Sequence, residues 1–130
     1  MRTLALLTLF STSSVFAASE ADREKAFKAD IAPILEKSCA NCHDPKKAKN
    51  GKVKSGFNSS SLADVIKGGT DDGVGITWGD ASKSSLYKSV NMTLSVPEHD
   101  DAMPPKKSHE KNPPLTKEQV AKIKAFIEAK

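Results

Sequence analysis

The chain has 130 residues, a charged fraction of 28% and a formal net charge of +4. That length holds one domain and not two. Lysine supplies all but one of the cations beyond residue 17, and aromatics make up only 5% of the chain, so composition argues against a nucleic-acid reader, which depends on arginine and stacking side chains.

Residues 1–17 read as an export signal. Arg2 gives a positive start, Leu4 to Phe10 a short apolar run, and Val15-Phe16-Ala17 a small-residue cleavage pattern ending at Ala17. The apolar run falls well short of the ~20 residues that span a bilayer, and no later run approaches it. The expectation is a cleaved signal over 1–17, a single domain over 18–130 and no integral membrane segment. In that domain 20 of 113 residues are Leu, Ile, Val or Phe, about 18%. Chains below the ~20% level struggle to build a core of their own. Either part of the domain is disordered or something other than protein supplies apolar bulk.

Residues 20–42 read as a helix, with Phe27, Ile31, Ile34 and Leu35 on one face. Pro33 opposes an unbroken helix and predicts a kink or a break into two shorter ones. Residues 44–60 carry Lys, Gly, Asn and Ser and read as loop. Leu62, Val65 and Ile66 give a short helix over 61–67, stopped by Gly68-Gly69. Turn signals fill 70–81, and Leu86, Tyr87 and Val90 predict a short helix over 82–91. Residues 95–114 are acidic and Pro-rich, hence extended loop. The last helix is the clearest, with Thr116 as N-cap, Gln119 completing a capping box and Val120, Ile123, Phe126 and Ile127 forming its stripe. The sum is an all-α domain of about four short helices joined by long loops. Loops of that length in a compact domain ask for a functional reason.

Cys39-Ala40-Asn41-Cys42-His43 supplies one. C-x-x-C-H is the attachment pattern of a c-type haem: two thiols three residues apart reach the two vinyl groups, and the next residue offers its imidazole to the iron. Other readings of a C-x-x-C pair are a thioredoxin-type redox disulfide, half of a zinc or copper site, or a structural disulfide. The first needs a βαβ context and a closed zinc site needs four ligands; neither is present. Haem also answers the composition, because a buried porphyrin is a large apolar core element. With Cys39 and Cys42 as anchors and His43 as one axial ligand, the candidates for the sixth iron position are Met92, Met103, His99 and His109. Met103 stands first. Pro104-Pro105 stiffen the chain after it, and it sits in a polar loop where core packing does not explain a methionine.

On these residues the chain resembles a class I cytochrome c, and in particular the small c-type domain first catalogued in planctomycetes. The likeness runs from Phe27 and Ile31-Ala32-Pro33-Ile34-Leu35 through Cys39–His43. It continues in Gly56-Phe57, Gly68-Gly69, Gly79-Asp80, Ser84 and Leu86, then Met103-Pro104-Pro105, Leu115-Thr116 and Phe126-Ile127. It implies the cytochrome c fold, with the first and last helices crossing and Met ligation from the loop before the last helix. The sequence departs from it at Lys54-Ser55-Gly56-Phe57, where many class I members place a proline whose carbonyl accepts the proximal histidine's N–H. A carbonyl near Phe57 is expected to take that role.

Trp78 has two readings: an ordinary core aromatic, or a donor from its indole N–H to a haem propionate. Lys46, Lys47, Lys49, Lys52 and Lys54, with Lys106 and Lys107, are either a solvated face or a positive ring that steers acidic redox partners. Glu98, Asp100 and Asp101 offset part of that charge. The resulting expectation is a periplasmic, monomeric, soluble electron carrier with one covalent haem c and no substrate turnover. The runner-up is a haem sensor or peroxidase-like enzyme with an open sixth position, and a third reading is a haem-free thiol oxidoreductase.

Overall fold

A computed structural model describes residues 18–129. The export signal and its cleavage point at Ala17 lie outside the described residues. The first helical stretch is real but segmented. Ser19 caps α1 (Glu20–Ala26), its hydroxyl accepting from the Asp22 N–H at 3.1 Å. A wide π turn follows over Phe27–Ile31, in which the Ala32 N–H reaches back five residues to the Phe27 carbonyl. α2 (Ala32–Ser38) then begins with Pro33 in its first turn, where a missing N–H costs no intrahelical bond. The predicted break at Pro33 is therefore a change of helical pitch. Cys39 (φ −121°, ψ −31°) separates α2 from a last turn, α3 (Ala40–His43).

The loop after His43 holds two tight turns, at 49–51 and 54–56. Each needs two successive residues at positive φ, met by Asn50-Gly51 and Ser55-Gly56. α4 (Leu62–Lys67) is capped by Ser61 and stopped by Gly68. The chain then doubles back so closely that a Cβ on Gly75 would lie 1.8 Å from the Val65 carbonyl oxygen. α5 (Ser85–Ser95) starts and ends later than the expected 82–91, so that Met92 lies within it. Its longer run leaves 96–116 as the loop before α6 (Lys117–Glu128), whose capping box joins Thr116 and Gln119 in both directions. Among the described residues there is no strand.

The core forms where the first and last helical stretches cross. Phe27, Ile31 and Leu35 join the buried Val120, Ile123, Phe126 and Ile127 in one apolar cluster. The Phe27 and Phe126 rings stand 6.2 Å apart, and Lys122 reaches Asp30 at 3.2 Å on the solvent side. The same cluster continues through Leu62, Val65, Ile76, Leu86 and Val90. No described helix is long and apolar enough to cross a membrane.

Candidate haem site

Cys39 and His43 end the first helical stretch at the wall of an apolar-lined slot of about 520 Å³. α5 supplies the facing wall through Leu86, Ser89 and Val90, and Met103 closes it. A smaller space of about 240 Å³ adjoins it between Cys42, His43, Met103, Pro104 and Pro105. Both spaces are bounded by Cys39, His43 and Met103.

His43 is oriented from behind. Its Nδ1 lies 3.3 Å from the Phe57 carbonyl oxygen. With hydrogen on Nδ1 the ring donates to that carbonyl and leaves the Nε2 lone pair for a metal, the arrangement that fixes tautomer and aim in metal-binding histidines. The carbonyl is held by its own turn: the Phe57 N–H closes the 54–56 turn, and Thr70 bonds the Ser55 carbonyl at 2.8 Å through its N–H. Gly69 makes room for that contact, since a Cβ there would meet the Ser55 carbonyl oxygen at 2.6 Å. The expectation of a carbonyl near Phe57 thus meets a specific atom. Burial pushes the imidazole pKa below its ordinary value, against the opposing pull of the Phe57 and Lys54 carbonyls, a shift toward the neutral form that metal ligation uses.

Cys39 and Cys42 are both free thiols. Burial, reinforced by the neighbouring Cys42, pushes the Cys39 thiol up to about 12. A thioredoxin-type nucleophile needs the opposite shift, and the described residues contain no cluster of three or more His, Cys, Asp or Glu able to hold a metal ion. The donor set fits a haem instead: two unpaired thiols, an imidazole aimed by a carbonyl and a thioether, all bordering the smaller space.

The other sixth-position candidates stand elsewhere. Met92 lies in α5 but lines neither space. His99 is exposed and accepts from the Asp101 N–H at 3.2 Å. The His109 ring nitrogen Nε2 lies 2.9 Å from the Pro104 carbonyl oxygen within its own loop. Trp78 is also outside the slot. Its ring packs edge-on against Phe126 at 5.3 Å, and the Arg23 guanidinium stacks on it at 4.3 Å. It lines a separate cavity with Leu62 and Ile66. Trp78 is partly buried and packed against the apolar cluster, and it does not border the slot. All seven lysines flanking the ligands in sequence are exposed. Lys47 pairs with Glu36 and Lys106 with Glu98, while the other five form no ion pair among the described residues.

Sequence reasoning missed most of the slot wall. Ser85, Leu86, Ser89 and Val90 come from α5, where the i, i+4 spacing of Leu86 and Val90 was visible but read only as core. Asp72 also lines the slot, and nothing in its turn-rich neighbourhood marks it out.

The family model described as Cytochrome c matches residues 29–129, more than three quarters of the chain. No curated protein and no solved structure matches. The family carries covalently attached haem c and works by haem-based electron transfer. The matched span contains every residue that bounds the slot, and by that match the chain belongs to the cytochrome c family.

Proposed function

We propose that this protein is a soluble periplasmic electron carrier, exported by the 1–17 signal, with one haem c attached through Cys39 and Cys42 and ligated by His43 and Met103. The observation that carries the reading is that His43 and Met103 bound the same slot, with His43 already aimed by the Phe57 carbonyl. A haem bound there supplies a one-electron ferric–ferrous couple. The chain's own part is to hold both ligands through the change of charge, which keeps reorganisation small, and to exclude water from the slot with Leu86 and Val90. Thioether ligation by Met103 raises the potential and closes the sixth position. The reading is of a carrier and not an enzyme, the role typical of the family.

Docking on acidic redox partners is assigned to the five unpaired lysines, chiefly Lys46, Lys49, Lys52 and Lys54, in the loop that leads to Phe57. Their exposure and lack of counter-charges suit electrostatic steering, which raises encounter rates at low salt. The carrier functions as a monomer.

The ferric spectrum tests the ligand set. A near-infrared Met–iron charge-transfer band that is absent in Met103→Ala and retained in Met92→Ala is the expected result. A high-spin ferric spectrum, or rapid carbon monoxide binding without ligand loss, would replace the carrier by a sensor or peroxidase-like enzyme. Replacing Lys46, Lys49 and Lys52 with Glu tests docking. Electron transfer with an acidic partner should slow at low salt and not at high salt, and unchanged kinetics would reduce the lysines to a solvated face.

A further inference from the structure

Met103 is reached by a loop of some twenty residues, and a loop that long needs anchors. One lies on its near side, where the Met103 N–H donates to the Ser89 carbonyl of α5 at 3.0 Å. Beyond Met103 the chain knits to itself. Ser108 donates to the Pro105 carbonyl through both its N–H and its hydroxyl at 2.8 Å, the Lys111 and Asn112 N–H groups donate to the Ser108 carbonyl at 2.9 and 2.8 Å, and the His109 ring meets the Pro104 carbonyl. Residues 104–112 therefore move as one unit. That unit is tied to the rest of the molecule by Asn41, one of the two residues inside the C-x-x-C spacing. The Asn41 Nδ2 donates to the Lys111 carbonyl at 3.2 Å and to the Asn112 Oδ1 at 3.1 Å. Asn112 is itself buried, 5% exposed, and borders the same space as Cys42, His43, Met103 and Pro104.

We propose that Asn41 is a positioning residue that clamps the Met103 loop onto the haem-attachment motif through Asn112, so that the segment carrying one axial ligand holds the other in place. The inference rests on the reading of Met103 as sixth ligand. The clamp is local to the slot. Asn41 lies outside the apolar cluster and its hydrogen bonds go only to Lys111 and Asn112, so its loss should free the 104–112 unit without unfolding the domain. Two hydrogen bonds between neutral groups are lost on truncation.

The test uses ferric holoprotein and two midpoints read on one sample. Loss of the near-infrared Met–iron band on heating reports Met103 dissociation, and far-ultraviolet circular dichroism reports global unfolding. In Asn41→Ala the band should melt at lower temperature, with the fraction lacking it raised about fivefold to tenfold at a fixed temperature below unfolding, while the unfolding midpoint stays put. Asn112→Ala, which removes the bond to Asn112 Oδ1 and keeps the one to the Lys111 carbonyl, should shift the band the same way by less, and the double variant should be little worse than Asn41→Ala alone, as partners in one contact require. A band midpoint equal to wild type in both single variants overturns the clamp. So does a fall of both midpoints together, which would make Asn41 a general staple. Wild-type ferric protein with no such band overturns the Met103 reading itself, an outcome recognisable before any Asn41 variant is measured.

Discussion

The two sides of the slot are built by different means. His43 closes an almost continuous run of helical turns from Glu20, and its neighbours Cys39 and Cys42 lie on the same turn. Met103 stands on a loop without regular structure, located by an N–H to α5 and by a knitted unit beyond it. One ligand is placed by local backbone geometry and the other by tertiary contacts. Tertiary placement is the more easily disturbed, because each contact contributes only about 0.5–1.5 kcal/mol, whereas a helical turn between two attachment points has no comparable freedom.

The comparison can be broken most sharply at the ligands. Cys39→Ala or Cys42→Ala should nearly abolish stable holoprotein, measured as Soret absorbance and haem-bearing mass in purified material. Met103→Ala should leave haem attached and lose the charge-transfer band entirely, with a lower midpoint potential. Equal losses of holoprotein in all three would put both sides on the same footing. Gly75→Ala comes next. A methyl there meets the Val65 carbonyl, and Gly75 also accepts from the Leu86 N–H at the start of α5 at 3.2 Å. We expect a destabilisation of about 3 kcal/mol in denaturant unfolding, with the Met103 band weakened before the haem is lost. Thr116→Ala removes one half of the capping box of α6 and should cost about 1 kcal/mol, leaving the band in place, because no residue of α6 lines the slot.

The smallest effect is one of pH. Asp80 caps the short turn ahead of α5. Hydrogen bonds from Ser82 and then Lys83 hold its carboxyl below the usual value. A group with a depressed folded value stabilises above the ordinary carboxylate range, about pH 4, and loses that contribution as pH falls below it. Asp80→Asn should therefore lose slightly less stability than wild type between pH 5 and pH 3 in thermal scans. A larger loss would reverse the sign.

The same division governs what could be read in the residues alone. Where a signal is local, the reading was close. The short helix stopped at Gly68, the Thr116 cap and the stripe Val120-Ile123-Phe126-Ile127 correspond to the elements observed. Phe57 was legible only through the family likeness, since a carbonyl acceptor has no side-chain signature. Local patterning could not show which helix faces the slot, so α5 passed for plain core. Nor could it show that Asn41, between two more conspicuous residues, reaches across 71 positions to Asn112. Trp78 was open to two readings from sequence, and its position between Arg23 and Phe126 is a tertiary fact that no local pattern carries.

The wide turn at Phe27–Ile31 has a consequence for the azimuth of the site. Each residue in an α-helix advances the chain by about 100° around its axis, so one extra residue in a single turn rotates everything downstream relative to everything upstream. Phe27 and Ile31 bracket that rotation and both face the helix crossing, while Cys39 and His43 face the slot. The turn acts as a phase adjuster between two faces of one rod. Deleting one residue from it and restoring regular pitch would keep the attachment motif intact and swing it away from Met103.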